Sequence, residues 1–160
     1  MKKSLINYLK DKNMYFYIEI SAVVIILILL IAFFVPKQIS KIDNYKRETD
    51  ISNAVILGQA AENIINNNND FKNYSVNNLN INKKVDINSD AVEDNFINLL
   101  IEELDGFDIK EIPHIKLKKG GYSHFSITIY KNKVYVYVSN GDNTNNLQLY
   151  PEQVDKITKE

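Results

Sequence analysis

Glu19 is the residue of this sequence that most needs a chemical reason. It stands in NMYFYIEISAVVIILILLIAFFVPKQ, residues 13–38, a single carboxylate beside an otherwise uncharged apolar run. A charge at the centre of a bilayer costs on the order of 3 kcal/mol on insertion scales. The chemistry such a group offers is ion pairing: a cation brought beside it in an apolar bundle makes the charge tolerable, and the pair then fixes register. The plainer alternative places Glu19 about one turn inside the membrane edge. There, beside Tyr15 and Tyr17, a carboxylate reaches the headgroups at little cost.

Other groups have less to offer. His114 and His124 are isolated, and no nucleophile elbow, phosphate loop, dinucleotide fingerprint or zinc spacing occurs. His124 falls on the polar face of a strand and reads as a surface or pocket-edge histidine, not a catalyst. The oxygen-rich SNGDNTNN, residues 139–146, contains one carboxylate, Asp142, without the spacing of an EF-hand loop, so it reads as a turn with no metal. Lys116, Lys118 and Lys119 in KLKKGGY read as a solvated edge, not a phosphate-binding patch. The chain has no cysteine, hence no thiolate nucleophile, thiolate metal site or disulfide. Neither catalysis nor a cofactor is expected.

The elements that must position Glu19 follow from pattern. Ile20 to Val35 carry no charge, and with Tyr15, Phe16 and Tyr17 the segment reaches the ~20 residues that span ~30 Å of hydrocarbon. The run ends Phe33-Phe34-Val35-Pro36 without a small-residue cleavage site, which argues against ordinary signal-peptide removal. Lysines flank both ends, so their count alone does not orient the helix. The short leading side, net +3, is placed in the cytoplasm; residues 37–160, with 15 basic and 18 acidic side chains, then face outward. That balance gives no broad lure for nucleic acid.

Beyond Pro36, Ile39, Ile42, Tyr45, Ile51, Val55, Ala61 and Ile65 recur at roughly helical spacing. One helix from about Tyr15 to Ile65 is expected, interrupted only by Pro36, which kinks it, and Gly58. INNNND at 65–70 ends it, and a polar connector follows to about Asn88. A second helix is expected in SDAVEDNFINLLIEELDG, with Asp90 and Glu93 as a capping box, Gly106 as its stop, and a stripe of Val92, Phe96, Leu100 and Leu104. After Pro113 the period becomes two. Phe125, Ile127 and Ile129 share a face with Val134, Val136 and Val138 in a hairpin turning at Lys131-Asn132-Lys133, and LQLYP adds a short third strand. The expected class is α+β: a long N-terminal membrane-spanning helix packed on a small antiparallel sheet, with a second helix in the connection.

The succession of short basic leader, aromatic entry, glutamate, apolar run, proline, amphipathic helix and sheet resembles the type IV pilins and pseudopilins. Ile18-Glu19-Ile20 stands where that family has isoleucine-glutamate-leucine, and Pro36 lies at the family's distance from Glu19. The resemblance is specific over residues 14 to about 60 and architectural beyond. It implies a prepilin-peptidase cut between Met14 and Tyr15, a filament-assembly role for Glu19 against the new amine of a neighbouring subunit, and a helix kink at Pro36. The implied divisions are 1–14, cytoplasmic leader; 15–36, transmembrane half of the helix; 37–66, its extracellular half; and 67–160, globular head. Implied partners are other pilin subunits, the inner-membrane assembly platform, and a prepilin peptidase that also methylates the cut terminus. The implied location is the cell membrane, single-pass with the C-terminal domain outside, or the assembled pilus. Heavy use of asparagine, lysine and isoleucine fits a low-GC, Gram-positive host.

Two departures matter. Met14 occupies the place of the glycine on which prepilin peptidases depend, and Tyr15 replaces phenylalanine. An uncut chain keeps an amide instead of an amine; Lys12 is then the nearest substitute cation. The alternative to a minor filament subunit is therefore an uncleaved, single-span accessory protein of the assembly machinery.

Overall fold

The computed structural model describes residues 12–85, 89–141 and 146–152. They form an α+β arrangement: helix α1 (Lys12–Asn67), a single 3-10 turn (Asn69–Phe71), β1 (Val76–Asn80), α2 (Val92–Asp105), β2 (Tyr122–Tyr130), β3 (Lys133–Asn140) and β4 (Asn146–Tyr150). The chain divides into two compact units between Asn44 and Tyr45.

In the first unit the chain is helical from Lys12 onward, and helix continues across Pro36. Its large apolar side chains, from Tyr15 through Val35, are all exposed. Lys12 and the leader before it were expected to matter at the N-terminus; the leader to Asp11 and the Lys12 side chain lie outside the described residues.

The second unit is built round the last turns of α1. Ala54, Leu57, Ala60, Ala61, Ile64 and Ile65 are buried against the sheet face made by Phe125, Ile127, Ile129, Val134, Val136 and Val138. The centre of this helix face differs from the expected stripe. Ile39, Ile42 and Tyr45 are exposed, and Ile51 and Val55 lie at its half-buried flank. Alanines mark the face because small side chains permit close approach of helix to sheet, whereas pattern reading favours large aliphatics.

The sheet is antiparallel throughout, in the order β1-β2-β3-β4. The β2–β3 turn holds two residues, Lys131 and Asn132, both left-handed at φ 51° and 59°. Lys133 is already paired with Tyr130, so the expected three-residue turn is one shorter. Such turns match the right-handed twist of paired strands. β1 lies within the stretch read as a polar connector, and Leu79 is its buried residue.

Helix α2 buries Phe96, Ile97, Leu100 and Leu104, but Val92 stays 53% exposed, outside the stripe assigned to it. The expected capping box is absent. Ala91 is the N-cap, its N–H donating to Ser89 Oγ at 3.2 Å, while Glu93 and Asp94 are drawn instead to Lys83 Nζ at 3.3 and 2.8 Å. Gly106 follows the helix with right-handed backbone at φ −62°; Asp108, at φ 60°, makes the left-handed turn.

Candidate functional site

Two sets of residues in this chain have the character of a site: the apolar helical segment carrying Glu19, and the polar fastenings that shape the head. Among the described residues one helix is long and apolar enough to cross a membrane, and none of its apolar window is buried. Met14 and Tyr15 both lie inside α1, so the bond between them is in its opening turns, where backbone N–H groups lack acceptors within the helix. Glu19 is exposed on the same helix, and no ion pair to it occurs among the described residues. Beside it, Ser21 Oγ donates to the Ile18 carbonyl at 2.8 Å, so this hydroxyl is engaged with the backbone and not with the carboxylate.

Within the head, Asp50 is a functional-looking residue that pattern reading passed over. Its carboxylate is 3% exposed, and its two oxygens accept the consecutive backbone N–H groups of Lys116 and Leu117, each at 2.8 Å. A buried carboxylate is tolerable when donors aim at both oxygens. The signal lay in its phase: Asp50 falls one turn before Ala54 on the face that continues through Leu57, Ala61 and Ile64. A polar residue in the core phase of a helix implies a partner.

Asn82 makes a second fastening. Its Oδ1 accepts from the Phe125 N–H at 2.8 Å and its Nδ2 donates to the Pro113 carbonyl at 3.1 Å. Together Asp50 and Asn82 hold the irregular strap between α2 and β2, whose Ile112 and Ile115 are buried. His114 is exposed on that strap, its Nδ1 3.4 Å from Asn82 Nδ2. His124 is buried at 6% exposure, with Ser123 Oγ 2.9 Å from its Nδ1, and so is not the surface histidine expected. Pairing is regular from His124 to Tyr130, so His124 does stand on the face opposite Phe125; that second face is itself buried at this end of the strand, where Ser126 is fully buried as well.

At the far end of α1 lies an open cleft of about 550 Å³. Ile64 and Leu99 supply its apolar part, and Asn67, Asn69, Asp70 and Glu103 its polar rim. Asn63 Nδ2 donates to Glu103 Oε2 at 3.4 Å, and neither α1 nor α2 has a basic residue in its last turn. Helix C-termini carry partial negative charge, so the surroundings of this cleft are electronegative.

Deeper in the head, Tyr74 packs with Phe71 and Phe96, ring centroids 5.3 and 5.4 Å away, and its hydroxyl is buried with no hydrogen-bond partner among the described residues. Burial, with Glu93 adding to it, pushes the Tyr74 phenol up to about 12. Among the described residues no group of three or more His, Asp or Glu is arranged to hold a metal. Within SNGDNTNN, residues 142–145, including Asp142, lie outside the described residues. The lysines of KLKKGGY are exposed, and Lys116 enters the Asp50 clasp through its backbone alone. No family model, curated protein or solved structure matches this chain.

Proposed function

We propose that the chain is a pilin-like structural subunit, a minor one, of a type IV pilus or related secretion or competence filament. The observation that carries this reading is the unbroken helix from Lys12 to Asn67: its apolar part has no buried residue, and its last turns supply one wall of a folded head. Such a helix is unsatisfied in water and needs lipid or other apolar helices around it. Glu19 supports the filament over lipid alone, since a carboxylate there gains from a cation supplied by a neighbouring subunit. The amine of a chain cut between Met14 and Tyr15 is such a cation. In this reading the role is packing, not catalysis. Its partners are other pilins, the membrane assembly platform and a prepilin peptidase.

Met14, in the place of the family's glycine, favours the second reading of an uncut, membrane-anchored accessory protein with its C-terminal domain outside. The deciding experiment is the N-terminal residue and intact mass of the protein from its native host. A chain beginning at Tyr15, with an added methyl, supports the subunit. A chain retaining Met1, absent from sheared filaments and present in membranes, overturns it in favour of the anchored protein.

A further inference from the structure

The strap that joins α2 to β2 separates charge. Residues 102–111 hold Glu102, Glu103, Asp105, Asp108 and Glu111 against one lysine, net −4; residues 113–121 hold Lys116, Lys118 and Lys119 and no acid, net +3. Apart from the partly exposed Glu103, these charged side chains are all exposed, and no ion pair joins the two groups among the described residues. Their positions are fixed on α1. The acidic end lies beside Asn63, which bonds Glu103, and the basic end beside Asp50, which bonds Lys116 and Leu117. At 1.5 Å per residue, Asp50 and the Asn63–Asn67 turn are about 20–25 Å apart along the axis. That exceeds the Debye length of about 8 Å at physiological ionic strength, so the carboxylates at the Glu103 end are not compensated by the lysine at the Lys116 end within one molecule.

The acidic end is also disfavoured where it stands. Glu102, Glu103 and Asp105 occupy the C-terminal turn of α2, where the helix dipole opposes negative charge, and no basic side chain offsets them there. The cleft beside them has the shape of chemistry that lysine satisfies: Ile64 and Leu99 for an aliphatic stem, Asp70 and Glu103 for an ammonium. Gly120 and Gly121, both left-handed at φ 91° and 78°, turn the chain sharply just after Lys118 and Lys119 and leave those lysines at an exposed bend.

We propose that this cleft receives a lysine of the 116–119 loop of a second copy of the chain, displaced by about 20–25 Å along the axis of the head's helix. Copies side by side at one level would bring acid to acid and base to base. For copies whose helices run parallel, as chains anchored through the same helix must, only a displaced copy brings them into complement, and such a contact leaves a cleft free at one end and a loop free at the other, so it is heterologous and open-ended. The inference rests on the subunit reading for its biological setting but not for its chemistry. Exposed charge contacts are individually weak and act mainly on specificity, so the contact sets stagger between chains already held close by their helices.

The native sequence has no cysteine, which permits a clean test in the full-length protein in its host. Asn67→Cys with Lys116→Cys, treated with a short thiol cross-linker, should join position 67 of one copy to position 116 of another. Either K118E/K119E or D70K/E103K should lower that yield at least tenfold, and all four changes together should restore it, with the melting temperature of each variant showing that the head remains folded. Dominant 67-to-67 products, or a yield indifferent to K118E/K119E, would overturn the contact. Cross-linking confined to membranes, with none of the protein in sheared filaments, would keep the contact and overturn the subunit reading. Filaments containing the protein without the 67-to-116 product would do the reverse.

Discussion

Gly58 and Tyr150 are in such close contact that the tyrosine ring occupies the place of a side chain at position 58. A Cβ built there would stand 2.6 Å from Tyr150 Cγ, well inside van der Waals contact. The glycine that looks like an interruption of α1 is thus the point at which the last strand reaches the helix. Gly58→Ala should gain about 1 kcal/mol of helix propensity and lose about 1–3 kcal/mol to overpacking, a net destabilisation of up to about 2 kcal/mol. Thermal unfolding of the detergent-solubilised chain measures it. Addition of Tyr150→Ala should make the Gly58→Ala change neutral or stabilising; simple additivity would sink the contact as the cause.

Asp50→Asn should loosen the strap without disturbing the sheet. The amide retains one acceptor oxygen and turns a donor toward the second backbone N–H, a change of about 2–3 kcal/mol on hydrogen bonds to a charged group. Hydrogen exchange read residue by residue is the measurement. Faster exchange at Lys116 and Leu117 with unchanged protection in β2 and β3 is expected, whereas a uniform rise throughout the head would mean that Asp50 serves only global stability.

Tyr74→Phe should stabilise the protein at neutral pH. The substitution removes a buried hydroxyl that has no partner among the described residues and leaves the aromatic cluster intact, for a gain of about 1 kcal/mol. A loss of stability in denaturant melts would show that the hydroxyl is satisfied after all.

Alkali should act on the same tyrosine and on Tyr150. Both phenols are pushed up to about 12, chiefly by burial, with Glu93 contributing at Tyr74 and Glu62 at Tyr150. A folded value above the unfolded value of about 10 means that the stabilisation is whole below pH ~10 and is lost as pH rises toward 12. Lys83, raised first by its hydrogen bond to Asp94, works in the same direction above its own ordinary value. Absorbance titration of tyrosinate should resolve a late-ionising class that loses one member in Tyr74→Phe. Simultaneous ionisation of all the tyrosines below the unfolding pH would contradict this.

Acid should release Lys83. The hydrogen bond from Lys83, seconded by one from Ser89, holds the Asp94 carboxyl below the usual carboxylate range, so its contribution is present above pH ~4 and is lost as pH falls through the folded value. Asp94→Asn should flatten that limb of the stability profile. An unchanged acid limb would assign it to other carboxylates.

The long helix, the β2–β3 hairpin and β4 were legible in sequence because their apolar residues recur with a helical or a two-residue period, although the buried centre of the helix face is carried largely by alanines. Three features stand out among those that were not. β1 has a single buried residue, Leu79, among asparagines, so side-chain polarity concealed a strand that is held by backbone pairing to β2. His124 is buried although it lies opposite the core face, because a two-residue period tells which face a residue takes but not that this second face, with Ser126, is itself buried. Asp50 lay in plain view, but a carboxylate on an amphipathic helix ordinarily points to water, and its partners are backbone groups more than sixty residues away that leave no trace in residue type. Side-chain patterns report burial well and backbone acceptors and donors poorly.

The two outer strands of the sheet are both short, five residues each, and both depart from regular pairing: β1 is shifted in register and carries the left-handed Asn78, and β4 is shifted and runs into Pro151. The asparagines and register shift of β1, and the register shift and following proline of β4, make both margins poor templates for strand addition. Such sheet margins offer another molecule side chains more than backbone pairing, which disfavours extension of the sheet into a continuous β-aggregate.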